Sequence, residues 1–430
     1  MRKLLCVCLV LMMALALIPS AVAEQKPQLY VLAVDYTEEN AGLFDAFEAD
    51  NNCEVVLVPV KSEDFLAYFT VVANGGAQVD VIDINGQDVR GLSQKGMLVD
   101  LTGKVDYLDR FYDAAMKPFQ IEGGLYAIPN MDGTSMAMFF NKKLFEQAGV
   151  SVPTTWEELE AAKAAFDKIG VGTLIHCGSV TYMWPSWYFA TLRQATNNQA
   201  VERTFAALKG EAKFTDPDFV EAMTILERLG KEGIFVDGVN AYDRESSVQA
   251  FIDGKVAMLY TGIWDLASFR NGGMDDTTLG IMPLPKFSEN AAFNLSYVTG
   301  AASGCALSIY KDTKNMDLSL KLLDYLTQPQ QMSDYRFKFR LPEDVIGSVY
   351  PPIKDFKAPE GTVTDPLYPQ IAEMVANADV WLDWYWPSGI TESFKEMIQA
   401  VVGGQIDAQS AMETIQQTYD DLVADGYTFS

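Results

Sequence analysis

The residues that usually perform covalent chemistry do not form a usable pattern in this chain. There is one histidine, His176, with no H-E-x-x-H pair and no G-x-S-x-G turn, so metallopeptidase and serine-hydrolase mechanisms find no support. Beyond the first 23 residues, cysteines occur only at Cys53, Cys177 and Cys305, far apart and without metal-ligand spacing. Buried apolar thiols are expected, and one long-range disulfide stays open for an exported chain. Acids are abundant, 58 against 32 Lys and Arg. Two carboxylates flanking a sugar would make a glycosidase, yet no motif singles out a pair. Clustered tyrosines with His or carboxylate partners, as iron capture would need, are not evident either. No metal site and no cofactor is expected. The dense feature is aromatic. Residues 180–189, VTYMWPSWYF, place Tyr182, Trp184 and Trp187 at no clean helical or strand period, and 379–387, DVWLDWYWP, set Trp381, Trp384, Tyr385 and Trp386 ahead of a helical pattern. Rings of this kind most often fill a core.

The elements that must position these residues alternate strand and helix. Residues 29–34, 54–60 and 79–84 read as strands, with helices between them carrying Leu43, Phe44 and Phe47 and then Phe65, Leu66 and Phe69, the second capped by Ser62 and ended by Gly75 and Gly76. This order implies a parallel sheet covered by helices on both faces. Ligands of such sheets sit beyond the carboxyl ends of the strands, which nominates Asp35 and Tyr36 after the first strand and Asn85 and Gln87 after the third. For Asp35 and Asn85 a cap or turn role stands equally open. Further on, Tyr126, Ile128, Met136, Met138 and Phe140 alternate at the two-residue period of a strand with one face on a core. A short helix then ends at Gly149, and Thr155 with Glu158 forms a capping box for the next. Asp216-Pro217 opens another helix, residues 255–260 are a strand, and Asp317 caps a late helix. The small, glycine-rich run 297–308, with Gly300, permits either close backbone approach to a ligand or tight strand packing. Arg340 has the fork to hold a hydroxyl pair or carboxylate, or sits in a surface pair.

Residues 123–159 carry a longer pattern. Gly124, Tyr126, Pro129, Phe140, Asn141, Lys142, Phe145, Ala148, Gly149, Pro153, Thr155, Trp156, Glu158 and Leu159 match the run G-x-x-Y-x-x-P, Y/F-N-K-x-x-F-x-x-A-G, P-x-T-W-x-E-L. Phe251, Gly254, Lys255, Ala257, Met258, Gly262 and Trp264 match F-x-x-G-K-x-A-M-x-x-x-G-x-W. Both resemble the extracellular solute-binding proteins, family 1, that serve carbohydrate importers of the ATP-binding-cassette (ABC) type, the maltose-binding-protein-like group. The resemblance implies an α/β, periplasmic-binding-protein-like fold: two α/β lobes with mostly parallel sheets, joined by a multi-crossing hinge, with the ligand in the cleft. Residues 24–134 and 286–338 would form the first lobe, and 135–285 and 339–430 the second, with Asp132 and Thr134 near the hinge. It also implies sugar-stacking aromatics among Tyr182, Trp184 and Trp187, at Trp264 on Gly262, and among the late pair Trp384 and Trp386. For Trp264, packing within its own lobe stays open. Pyranose C–H faces suit aromatic rings, and hydroxyl rims suit carboxylates and amides.

Residues 1–23 read as a cleaved signal peptide: Arg2 and Lys3, an apolar centre, then Ala21-Val22-Ala23, with no clear lipoprotein cysteine. The expected location is therefore the periplasm or the cell exterior. Net charge is −26, and no stretch supplies the basic footprint that nucleic acid requires. The expected partners are a small saccharide and a membrane-embedded ABC permease, the protein itself being a monomer. An exported glycoside hydrolase, or the same fold taking a polyamine, are the alternatives.

Overall fold

The computed structural model describes residues 26–130, 133–292, 300–301, 304–339, 351–360, 365–377 and 381–429. The leader expected over residues 1–23, Asp132 and Arg340 lie outside the described residues. The chain starts with β1 (Gln28–Ala33), α1 (Asp45–Asn51), β2 (Glu54–Pro59), α2 (Phe65–Asn74), β3 (Val81–Asn85), α3 (Gly86–Gln94) and, after a long excursion, β4 (Ile128–Pro129). β1 pairs in parallel with both β2 and β3, Val31 facing Leu57 on one side and Val81 on the other. Val81 to Ile84 are all buried because helices cover both faces of the sheet. Phe65 and Phe69 anchor α2, whereas Leu66 is exposed. Ser62 does not cap that helix; its hydroxyl accepts a hydrogen bond from the Asn85 amide.

Strand β5 (Thr134–Asn141) carries the chain into a second layered unit. It is buried on both faces rather than the expected one, with Met136 and Met138 in one apolar cluster and Ala137 and Phe139 in another. Asn141 accepts from the backbone N–H of Leu144 to start α4 (Lys142–Ala148), and Gly149, at φ 69°, ends it. The Thr155 hydroxyl accepts from the Glu158 N–H at 3.3 Å at the head of α5 (Trp156–Lys168), and Glu158 reaches back to the Thr154 N–H at 2.7 Å. β6 (Gly172–His176), α6 (Trp184–Ala195), α7 (Pro217–Lys231), α8 (Arg244–Ile252), β7 (Val256–Gly262) and β8 (Leu279–Met282) follow.

The chain then returns through β9 (Gly300–Ala301), β10 (Cys305–Ile309) and α9 (Met316–Leu326), and closes with α10 (Ser388–Val402) and α11 (Ala408–Ala424). β9 pairs antiparallel with the start of β5, Gly300 with Ser135 and Ala301 with Thr134. The first sheet has the order β2-β1-β3-β10-β4 and the second β8-β5-β7-β6. Parallel pairing joins β1, β2 and β3, and β6 to β7; every antiparallel pair in these two sheets and the β5–β9 ribbon involves β5 or β10, the strands that bring the chain across.

One core is filled by side chains from Leu29 to Ile128 and from Ala306 to Ile353. The others draw on Met136 to Phe287 and on the segments after 365. The expected boundary at residue 339 needs correction. Ile353 bridges to Phe111, Lys354 donates to the Arg110 carbonyl at 2.9 Å, and the Ser333 hydroxyl donates to the Lys357 carbonyl, so 352–357 still belong to the first lobe. Asp365 already binds Arg270 of the second.

Candidate functional site

The ribbon of β5 and β9 sets the geometry. At the carboxyl end of β3, Asn85 pairs with Cys305, the first residue of β10 and four positions past the end of β9. At the carboxyl end of β7, Gly262 pairs with Met136, two residues into β5. The strand ends at which parallel sheets collect ligands thus flank the same ribbon, one from each lobe. Thr134 and Gly300 lie in the ribbon itself.

On the first-lobe side the organising group is Asp83, which sequence reasoning missed. It is fully enclosed; one carboxylate oxygen accepts from the N–H groups of Val34 (3.1 Å) and Asp35 (2.8 Å), the other from the Asn130 amide (2.9 Å). Burial, with the Asp35 charge adding to it, pushes the Asp83 carboxyl up to about 7. The only sequence signal was a charge inside an otherwise apolar strand, VIDIN. Asp35 is held at the strand end through its carbonyl, which accepts from the Tyr335 hydroxyl at 3.1 Å, and stays partly exposed. Tyr36 is instead an anchor, buried edge-on against Phe44 and Tyr335 and in reach of Asn130. It therefore leaves the set of ligand-facing candidates. Asn85 makes no helix-cap bond; its amide donates to Ser62 and its carbonyl accepts from the Cys305 thiol at 3.4 Å, so both neighbouring loops are tied to it. Gln87 is partly exposed in the first turn of α3.

On the second-lobe side, a Cβ built on Gly262 would stand 2.3 Å from the Trp264 ring, so glycine is what lets the indole lie against the backbone there. The ring is partly buried at the edge of the larger core. Beneath it, buried Asp265 accepts from Thr261 at 2.6 Å and from Arg244 through Nη2 (2.6 Å) and Nε (2.8 Å), while the Arg244 side chain stays about half exposed. No spacing rule marked Arg244, because its partner sits beyond an intervening helix and strand. Tyr182, partly exposed, is close enough to interact with that guanidinium. Next to it, the Asp243 carboxyl is held below its usual range by the Ser246 hydroxyl and N–H and, to a smaller extent, by Lys61 from the first lobe.

Three of the expected aromatic candidates are core residues. Trp184 is fully buried on His176 and donates to the Gly178 carbonyl at 2.9 Å. Trp187 is fully buried, 4.2 Å from Tyr260 and 5.3 Å from Phe235. Trp386 stacks on Phe394 at 4.1 Å and meets Phe189. A ring covered on both faces presents none to a ligand. Trp384 differs: it crosses to the first lobe, parallel to Trp381 at 6.4 Å, near Phe119, and so close to Gly86 that a Cβ there would lie 2.5 Å from the ring. Arg90 of α3 lies over Tyr385 in the same turn. Cys53, Cys177 and Cys305 are all buried and none is in a disulfide, so the open disulfide reading is dropped. Among the described residues no group of three His, Cys, Asp or Glu side chains could hold a metal ion, and no helix is long and apolar enough to cross a membrane.

Comparison with known proteins places this geometry among relatives. A family model described as bacterial extracellular solute-binding protein matches residues 42–370. A putative binding protein of Brucella abortus is 25% identical over 353 residues, covering 76% of this chain and 78% of the relative. The galactooligosaccharide-binding protein of Bacillus subtilis is 23% identical, covering 67% of this chain and 66% of its own. Among solved structures, a chitin oligosaccharide binding protein superposes with a TM-score of 0.77 at 17% identity, covering 93% of this chain and 99% of that one. The GacH receptor of Streptomyces glaucescens, studied unliganded and with acarbose, gives 0.73 at 21% identity, covering 94% and 100%.

Proposed function

Since this chain belongs to the bacterial extracellular solute-binding proteins, we propose that it captures a sugar or oligosaccharide between its two lobes and delivers it to the permease of an ABC importer. The observation that carries the reading is the pair of strand ends at one ribbon: Asp35, Asn85 and Gln87 on the first-lobe side, Trp264 with Tyr182 and Arg244 on the second. One wall offers carboxylate and amide groups for hydroxyls, and the other an indole for the C–H face of a pyranose. Bending at the ribbon would part the walls, and a ligand touching both would favour the closed form. Asp83, a fully enclosed carboxylate at this strand end, has both oxygens engaged by its own lobe, which suits a binding protein better than a hydrolase.

Calorimetry of the mature protein against a saccharide panel tests this. A saturable, saccharide-specific heat is expected, and Trp264→Ala should weaken the affinity about tenfold, the worth of one lost aromatic face. Unchanged affinity in that variant would remove Trp264 from the site. Absence of binding by any saccharide would remove the sugar reading.

A further inference from the structure

Outside the ribbon the lobes also meet where the turn 382–385 packs against α3. This contact is a buried, aromatic seam: Trp384 lies on Gly86, Trp381 stacks behind it, and Phe119 closes one side. Two carboxyls are caught in it. Asp88 projects from α3 of the first lobe and Asp383 from the turn of the second; both are buried, and Asp88 lies within electrostatic reach of Asp383, Lys395 and Glu392 across the seam, while Asp383 is within reach of Lys395. The groups facing Asp88 are Lys395 and Glu392 of α10, Asp383 of the turn, and Lys95 just past α3; Lys395 alone stands out against Asp383. Lys117, on the turn that contributes Phe119, points to solvent. Lys395 also holds Glu392 at 2.8 Å. One ammonium in the seam therefore serves three carboxyls, and Asp383 Oδ1 has no hydrogen-bond partner among the described residues.

We infer that Asp88 and Asp383 form a proton-binding site shared between the lobes, so that closing the protein takes up protons and acid favours the closed form. The inference rests on the two-lobe closure proposed above, though not on the ligand being a sugar. Open lobes would leave both carboxyls in water with ordinary values near 4. Closure excludes that water, and a charge buried without a sufficient counter-charge is costly. Burial pushes both groups up to about 7, with Lys395 opposing the shift. The sign follows from proton counting. Between about pH 4 and 7 the closed form binds more protons than the open one, so the closed-to-open ratio rises as pH falls through that window, by up to about tenfold per unit for each carboxyl that takes one up. Above that window both forms are ionised at both groups and the dependence fades.

The test needs no ligand. Small-angle scattering of the mature, unliganded protein should give a smaller radius of gyration at pH 5 than at pH 8.5. The Asp88→Asn, Asp383→Asn double variant should be compact at both values. Lys395→Gln should shift the midpoint of the wild-type transition to higher pH, since the ammonium that favours the ionised carboxyls is gone. A radius independent of pH in the wild type, or a transition left unchanged by the double variant, would overturn the inference. A transition that persists while no saccharide binds would sink the sugar reading and leave the proton site intact.

Discussion

At the residue scale, chemistry and neighbours divide the candidates that residue type alone nominates. Asp35 and Asn85 could be placed from the rule about strand ends, because that rule depends only on chain order. Trp184, Trp187 and Trp386 could not be excluded, since whether an indole is covered on both faces is decided by Phe235, Tyr260 and Phe394, which arrive from distant segments. Asp83 was hidden because an acid within an apolar strand looks like an interruption until Asn130 and two backbone N–H groups are seen converging on it. His176 illustrates the cost of such enclosure. Burial drops its pKa to about 4, its Nδ1 lying 3.0 Å from the Tyr260 carbonyl. The unfolded chain protonates near 6.5 while the folded one resists, so stability is lost as pH falls from about 6.5 to 4, by about 3 kcal/mol in all. Urea unfolding of the wild type and His176→Phe across that range should show a shallower acid loss in the variant, and equal slopes would mean that His176 is not buried neutral. The seam carboxyls tilt the other way, so the difference between variant and wild type isolates the histidine.

At the scale of elements, two glycines locate the aromatic contacts more sharply than the aromatics do. Gly262 admits Trp264 against β7, and Gly86, at the first position of α3, admits Trp384 across the lobes. In both a methyl group would overlap ring atoms, at 2.5 Å from Trp384 and 2.3 Å from Trp264. Gly86→Ala should therefore hold the lobes apart, at a cost of about 1–3 kcal/mol to the closed form. Scattering should show a larger radius, and saccharide affinity should fall by about tenfold to a hundredfold. Unaltered radius and affinity would show that the seam yields easily. Sequence reading found α5 and its capping residues well, because caps act over three or four positions. It placed β5 as a half-exposed strand because period alone cannot reveal that Phe269 covers Phe139 on one face while Met136 and Met138 enter the larger core on the other.

At the scale of the whole molecule, the order of strand and helix made the layered α/β architecture legible, while the last crossing was placed too early. The stretch 351–360, rich in proline and without a period, gave no sign that it straps Phe111 and Arg110. Its position has a testable result. Everything the first core uses lies before residue 360, whereas the second needs Phe394, Ile398, Met412 and Ile415 from α10 and α11. A mature chain ended after residue 377 should keep a cooperatively unfolding first lobe and lose the second. Native-state hydrogen exchange should then show protection at 29–33 and 305–309 but little at 256–262. Protection at both would mean that α10 and α11 are dispensable.

The position of β10 has a further consequence in time. Its Ala306 pairs with Ile84 on one side and with Pro129 on the other, joining segments that emerge from a ribosome far apart. Until that strand exists, the edges of β3 and β4 have nothing to zip onto, and closing so long a loop is slow. A chain threaded outward from its N-terminus would therefore remain pliable for most of its passage. The first lobe would lock only after the bulk of the second had already crossed.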